Sequence, residues 1–339
     1  MNKAPLILAI ESSCDDTSVA ILRGRKVLAN IVASQSVHEK YGGVVPELAS
    51  RAHQKHILPT VDVALKNAGV ALKELDAIAV TRGPGLLGSL LVGVSFAKSL
   101  ALTLSLPLIE VNHMEAHILA HFIEREDHPS PEFPFICLTV SGGHTQLVMV
   151  DAPREFAVLG ETMDDAAGEA FDKISKMLEL PYPGGPVLDQ LAQQGDPSRF
   201  SFALPKVEGY NFSFSGLKTS VLYFLQKEMK KDADFIQDHL KDLCASVQAS
   251  ILQILDEKLK QLVEDTGITQ VAIAGGVSAN SGLRALLAQK RKQGWKTYIP
   301  DFQYCTDNAG MIGIVGYYKY LNGDFSDLSL APTARLKIT

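Results

Sequence analysis

The sequence predicts an α/β protein built from two similar lobes, and three observations carry that expectation. The chain has 339 residues, enough for two domains at about 100–200 residues each. Short apolar runs alternate with longer segments of helical periodicity, the rhythm of mixed α/β folds. One order of elements also occurs twice: strand, polar turn and return strand, followed later by strand, glycine turn and helix. Residue identities do not repeat; only the order does.

The first half of the pattern opens with the continuous apolar run Leu6–Ile10, read as a strand, and a polar turn Glu11–Asp16. Val19–Leu22 and Val27–Val32 follow as strands. Pro46–Ala68 reads as a helix with Leu48, Ile57, Val61 and Leu65 on one side. Ala77–Val80 is a short buried strand that enters the glycine-rich turn Arg82–Gly88. The stretch Leu86–Ile109 is apolar enough and long enough to span a bilayer. Lys98 in its middle, Pro107 near its end and the spacing of Leu87, Leu91, Val94 and Ala101 favour a buried helix followed by a strand. After the proline-rich segment Pro129–Pro134, read as a linker, Phe135–Val140 and Thr145–Val150 form a second strand pair around Ser141–His144. Val271–Ala274 is a buried strand that feeds Gly275–Asn280 and a helix from Leu283 to Lys292, and Ala309–Tyr320 is a further helix. Ligands of such folds lie at strand ends, so the hairpins Glu11–Asp16 and Ser141–His144 are expected to face each other across a cleft. Glycine turns there would offer backbone amides to anionic oxygens.

Composition narrows the function. Apolar residues make up 46% and charged residues 21%, which excludes disorder as the main state. The net charge of −6 argues against a protein coated in basic charge for nonspecific nucleic-acid binding. Cys14, Cys137, Cys244 and Cys305 are far apart, which argues against a disulfide framework or a cysteine zinc ribbon and fits a reducing cytoplasm. The apolar stretch Pro5–Ile10 is too short for a secretory signal core.

His113-Met114-Glu115-Ala116-His117 is the sharpest chemical motif. On a helix the two histidines lie at i and i+4 on one face and either share a metal or simply pack. The protease motif H-E-x-x-H is absent, because Met114 stands where its glutamate would be. Asp307, before a helix, either caps that helix or completes a two-histidine, one-carboxylate triad. Asp164–Lys173 reads as a helix with Asp165, Glu169 and Asp172 along one face, either a solvated acidic face or a row that accepts ligand hydroxyls or amines. Tyr182–Pro186 reads as a turn, and Gly275–Asn280 as a strand-to-helix turn suited to a base or sugar, though it is neither G-x-G-x-x-G nor a Walker loop. The run Gln289–Lys296 is either a solvated helix end or a local basic patch for nucleic acid.

Together these segments resemble one family closely. They are Ile10–Thr17, Gly42–Arg51, Asn112–His117, V-S-G-G-H-T-Q-L from Val140, Asp164–Lys173, Tyr182–Pro186, Phe212–Thr219, A-G-G-V-S-A-N from Ala274 and Cys305–Asn308. They stand in family order from the first strand to about residue 312 and are similar to the motifs of the bacterial tRNA N6-adenosine threonylcarbamoyltransferases, relatives of the catalytic subunit of the KEOPS complex. Ser12, Asp16 and Ala116 depart from the usual threonine, glutamate and glycine, and Asp16 is one methylene shorter than the usual residue. The resemblance implies two ribonuclease-H-like lobes of the actin, hexokinase and heat-shock ATPase type around a nucleotide cleft. The expected boundaries are residues 1–132, with 322–339 packing back, and residues 133–321.

The activity implied is transfer of threonylcarbamoyl from threonylcarbamoyl-adenylate to the N6 amine of the adenosine beside the anticodon. Implied metal ligands are His113, His117 and Asp307, holding one Fe(2+) or Zn(2+). Implied substrate contacts are Thr139, Val140, Ser141, Gly142, Gly143, Asp172, Gly185, Asp189 and Asn280. Asp15 is the candidate for assisting proton transfer. Implied partners are tRNA, an inactive paralogue of the TsaB type, an ATPase of the TsaE type and the synthase of the adenylate, with pairing through the N-terminal lobe. The rival readings are a small-molecule kinase or ATPase on the same fold, a metalloprotease, and a non-catalytic scaffold.

Overall fold

In the computed structural model, which describes residues 4–41, 43–126 and 128–338, strands and helices alternate from the first apolar run onward. Gly42, in the Gly42–Arg51 motif, lies outside the described residues. The elements are β1 (Leu6–Glu11), β2 (Thr17–Arg23), β3 (Lys26–Ala33), α1 (Pro46–Ala68), β4 (Ala77–Gly83), α2 (Leu87–Leu104), β5 (Leu108–Asn112) and α3 (His113–Leu119). They continue with β6 (Phe135–Val140), β7 (Thr145–Ala152), β8 (Glu155–Glu161), α4 (Ala167–Met177), α5 (Gly184–Ala192), α6 (Ser215–Met229), α7 (Phe235–Thr266), β9 (Gln270–Ala274), α8 (Ser281–Lys292), β10 (Lys296–Tyr298) and α9 (Ala309–Leu321).

The chain divides into two units. The first comprises Met1–Pro131, Pro153–Glu155 and Pro300–Thr339; the second comprises Glu132–Ala152 and Phe156–Ile299. The first unit holds a sheet in the order β3-β2-β1-β4-β5, and the second a sheet in the order β10-β9-β6-β7-β8. In each, the opening strand pairs antiparallel with its hairpin partner, β2 or β7, and parallel with a later strand, β4 or β9. The doubled order of elements is therefore a doubled sheet topology. The central strands β1 and β6 are buried along their whole length, as continuous apolar runs covered on both faces should be.

In the first unit Leu6, Leu8, Ile10, Ile78 and Val80 meet Ile57, Val61 and Ala64 of α1 and Val94, Ala97 and Ala101 of α2. The buried face of α2 is thus Ser89, Leu90, Gly93, Val94, Ala97 and Ala101, whereas Leu87 and Leu91 are exposed. This corrects the expected face: α2 is apolar nearly all round, so periodicity cannot choose between its sides. Residues 87–104 satisfy the length and hydropathy of a membrane span, yet the helix flanks β4 and α1.

The expected boundary at residue 321 is also corrected, because Pro300–Leu321 belongs to the first unit. Helix α9 packs on β1, β2, β4 and β5. Gly313 makes this approach possible, since a Cβ there would stand 2.1 Å from Leu22 Cδ1. Ser18 Oγ and Asn30 Oδ1 accept the amides of Ala309 and Gly310 at 2.8 and 3.2 Å and fasten the start of the helix. The segment after α9 returns across the same sheet: Thr333 N–H donates to Arg82 O at 2.9 Å and Gly85 N–H to Ala334 O at 3.1 Å.

The core of the second unit gathers Ile136, Leu138 and Val140 of β6, Phe171 and Ile174 of α4, and Val247, Ile251 and Leu255 of α7. Its glycine turn after β9 is compulsory at Gly275, where φ is 86° and a Cβ would lie 2.6 Å from Val140 O.

Candidate metal centre and nucleoside contacts

Helix α3 begins where β5 ends, and Asn112 sets that start. Its Oδ1 accepts the amides of Met114 at 2.9 Å and Glu115 at 3.4 Å, satisfying two of the helix's unpaired donors. Its Nδ2 donates to Lys337 O at 2.8 Å, so the returning C-terminal segment holds the cap in place. The cap turns His113 and His117 to one side, with ring centroids 4.7 Å apart and planes perpendicular.

Asp307 meets them from the turn before α9. Its Oδ1 lies 3.2 Å from His117 Nε2 and 3.4 Å from His113 Nε2. Asn308, not Asp307, caps α9 by accepting the Met311 amide at 3.1 Å, which leaves the Asp307 carboxylate to the histidines. One ligand atom from each of the three residues lies within 4.8 Å of the others. Two imidazoles and one carboxylate converging this closely form a donor set that fits a divalent cation with open positions for substrate. All three residues belong to the first unit.

A fourth ionisable group completes the centre, and sequence reasoning missed it. Glu11, at the end of β1 and fully buried, places Oε2 2.9 Å from His113 Nδ1. The same oxygen accepts the Thr81 hydroxyl at 2.7 Å, and Oε1 accepts the Ser13 amide. Its signal in the sequence is a charged residue directly ending an apolar run, a pattern that also marks the start of a turn. Burial alone would lower the His113 pKa, but the carboxylates of Glu11 and Asp307 outweigh it and hold the imidazole well above its usual value. Burial likewise favours the neutral form of Glu11 and Asp307, and His113 overrides it, so both are held low. His117 is lowered, with desolvation the largest cause, and its Nδ1 is buried without a partner among the described residues.

Asp15 lies in the bend after β1, half-buried, in the same unit. Its neighbour Asp16 is pushed up to about 6, chiefly by burial, against a lowering hydrogen bond from Ser34. Cys14 is raised well above the ordinary thiol range by burial and by Asp15, which argues against a reactive thiolate.

The remaining expected contacts belong to the second unit. Thr139 and Val140 end β6 and are buried. Ser141, Gly142 and Gly143 form the turn to β7: Ser141 N–H donates to His144 O at 2.8 Å, and Ser141 Oγ accepts the His144 amide at 3.1 Å. Ser141 O accepts the Gly168 amide at 3.1 Å, anchoring the start of α4 to this turn.

On α4, Asp172 Oδ1 accepts the amides of Gly184 and Gly185 at 3.0 Å each. Burial raises the Asp172 pKa more than those bonds lower it. On α5, Asp189 accepts the Ser281 amide at 2.9 Å and its hydroxyl at 2.6 Å. Asn280 caps α8 through Leu283 N at 2.9 Å and donates to Gln248 Oε1 at 2.8 Å. Hydrogen bonds thus link the Ser141 turn, α4, α5 and α8 in sequence.

Three expectations change here. Helix α4 starts at Ala167, so Asp164 and Asp165 precede it, and Asp165 does not share a helix face with Glu169 and Asp172. Asp164 instead accepts the Phe214 amide at 2.8 Å, while Asp165 pairs with Lys173 and Lys218 at 2.7 and 2.8 Å. Gly184–Pro186 is the first turn of α5 rather than a free turn. In the Gln289–Lys296 run, Lys290 is buried against Asp256 at 2.6 Å and so is not part of an exposed basic patch, whereas Arg291, which donates to Thr297 O, Lys292 and Lys296 are exposed.

The family model for tRNA N6-adenosine threonylcarbamoyltransferase, TsaD, matches residues 26–314. The chain is 62% identical over 332 residues to the tRNA N6-adenosine threonylcarbamoyltransferase of Christiangramia forsetii, covering 98% of both chains. It is 57% identical over 337 residues to that of Riemerella anatipestifer, covering 99% of both. Among solved structures, full-length HypF in its phosphate- and nucleotide-bound form aligns with a TM-score of 0.65 at 14% identity, over 96% of this chain and 48% of that one. Component A of the Acidaminococcus fermentans (R)-2-hydroxyglutaryl-CoA dehydratase aligns with a TM-score of 0.52 at 16% identity, over 94% of this chain and 99% of that one. These likenesses establish the doubled α/β fold, shared with those two proteins, and nothing about substrate.

Proposed function

The chain belongs to the tRNA N6-adenosine threonylcarbamoyltransferase family, an enzyme family of tRNA modification, and from that premise we propose the reaction it performs. It transfers threonylcarbamoyl from threonylcarbamoyl-adenylate to the N6 amine of the adenosine next to the anticodon in tRNAs that read A-starting codons, and releases AMP. The observation that carries this reading is the convergence of His113, His117 and Asp307 within 4.8 Å in a chain of that family.

The chemistry asks for these residues. The lone pair of an adenine amine is delocalised into the ring, so the amine is a poor nucleophile and needs an activated acyl donor. A carbamoyl–phosphate anhydride is activated, and the enzyme's task is to hold it, stabilise the charge that develops and orient the amine. A divalent cation, iron or else zinc, held by His113, His117 and Asp307 would supply Lewis-acid stabilisation of developing negative charge. The Ser141–Gly143 turn grips oxygens of the donor: the Gly142 and Gly143 positions have open space beside them, which lets a ligand approach the backbone closely. Asp172, Gly185, Asp189 and Asn280 hold the nucleoside, and Thr139 and Val140 set the turn's position. Asp15 receives the proton lost by the amine.

Partners are tRNA, a catalytically inactive paralogue of the TsaB type and an ATPase of the TsaE type, in the cytoplasm. Support for a protein partner comes from the first unit, where Leu58 of α1 and Leu87, Leu91 and Leu102 of α2 are exposed. Incubating the chain, paralogue and ATPase with synthetic threonylcarbamoyl-adenylate and unmodified tRNA tests the proposal. AMP and modified nucleoside should appear in equal amounts. AMP release with unmodified tRNA, or ATP-dependent phosphorylation of a small molecule, would sink it.

A further inference from the structure

We propose that Glu11 is a positioning residue for the cation site: it fixes His113 as the Nδ1–H tautomer and so presents Nε2 as the ligand atom. The inference rests on the reading that His113, His117 and Asp307 hold a divalent cation.

The geometry is one-directional. An ionised carboxylate can only accept hydrogen bonds, and Glu11 accepts from three elements at once. Thr81 on β4 donates its hydroxyl to Oε2 at 2.7 Å, the Ser13 amide donates to Oε1, and His113 Nδ1 stands 2.9 Å from Oε2. Thr81 and Ser13 fix the carboxylate, and the carboxylate fixes the ring. With Nδ1 carrying the proton, the lone pair of a neutral His113 is on Nε2, which faces Asp307. His117 has no such support among the described residues, where its Nδ1 is buried and unpartnered. The two ligand histidines are therefore unequal: the ring of His113 is held from behind, and that of His117 is held by packing and Asp307 alone. A carboxylate behind a ligand imidazole keeps its tautomer and orientation and raises its basicity.

Glutamine discriminates this role from a merely structural one. It keeps the shape of Glu11 but must place its amide nitrogen on one side. Facing Ser13, that nitrogen meets another donor. Facing His113, it donates to Nδ1 and forces the proton onto Nε2, the tautomer that cannot bind a cation through Nε2. Thr81→Val removes one of the two bonds that fix the carboxylate and leaves the carboxylate itself.

The experiment titrates cobalt(II) into the full chain against a competing chelator, for the unaltered protein, Glu11→Gln, Thr81→Val and His113→Ala. Histidine 15N spectra of the zinc-loaded proteins report which ring nitrogen binds. The unaltered chain should take up one cobalt per molecule with His113 bound through Nε2. Glu11→Gln should weaken affinity about 10–100-fold, and Thr81→Val should weaken it less but in the same direction. Glu11→Gln within twofold of the unaltered chain, or His113 bound through Nδ1, overturns the proposal. If Glu11→Gln does not fold, Thr81→Val decides, and unchanged affinity there overturns it. Loss of cobalt in His113→Ala but not in Glu11→Gln leaves the cation site standing and removes Glu11 from it. No uptake by the unaltered chain removes both.

Discussion

His117 Nε2 and Asp307 Oδ1 lie 3.2 Å apart across 190 residues of sequence. The contact exists because α9 folds back onto the sheet opened by β1, and because Asn308 takes over the capping of that helix. A carboxylate freed from capping duty is available as a ligand.

Substitution at this contact should therefore remove cation and transfer together. Asp307→Ala and His117→Ala are expected to lose bound metal and to lower transfer by more than about 100-fold, because even outer-shell substitutions cost 10–100-fold. Metal content and product yield measured on the same samples check this, as does removal of the cation with a chelator followed by its return.

Asp189 is bound to Ser281 through both oxygens. Ser281→Ala removes only the hydroxyl and should cost about 1–2 kcal/mol in urea unfolding. Asp189→Ala should cost more, because the Ser281 amide also loses its acceptor, and should in addition raise KM for the adenylate. Equal KM values for Asp189→Ala and the unaltered enzyme would remove Asp189 from the nucleoside site.

Asp16 supplies a pH test. Its folded pKa of about 6 exceeds the unperturbed 3.8. The unfolded chain therefore gives up this proton first, and the contribution of Asp16 to stability falls as pH rises from about 4 through 6. Asp16→Asn retains an acceptor for the Ser34 hydroxyl and removes the buried charge. It should stabilise the protein by about 1–2 kcal/mol at pH 7.5, allowing for partial exposure, and change little near pH 4. Thermal melts at the two pH values measure the difference.

The C-terminal return should matter locally. Ending the chain after Leu330 removes the carbonyls of Ala331, Ala334 and Lys337 that accept from Arg82, Gly85 and Asn112, together with the Thr333 amide bonded to Arg82. Hydrogen exchange should quicken at Met114 and Glu115, whose amides depend on Asn112, while the centre of β1 keeps its protection. Unchanged exchange at those two amides would show that Asn112 holds its position without Lys337.

Much of the fold is legible from local chemistry. Helix α1 has the bounds the sequence predicts, because Pro46 suits its first turn and Gly69 ends it with φ 64°. Strand β6 is also read to the residue, as a continuous apolar run between a proline and a polar turn. What local chemistry does not contain is tertiary competition. The start of α4 moved because Asp164 is taken by backbone amides near residue 214. The sheet that receives α9 is decided by Leu22, Ser18 and Asn30, none of which α9 itself reveals. The histidine pair was visible as a spacing. Glu11 was visible only as the odd polar residue at a strand end, because its partners Thr81 and His113 arrive from other elements.

The most direct test of the central claim is transfer by the unaltered chain and Asp307→Asn, with metal bound and modified nucleoside formed quantified on the same preparations by mass spectrometry. The account predicts one cation per chain and modified tRNA for the unaltered enzyme, and neither for Asp307→Asn while its fold persists. Full transfer by a folded, metal-free Asp307→Asn would contradict it.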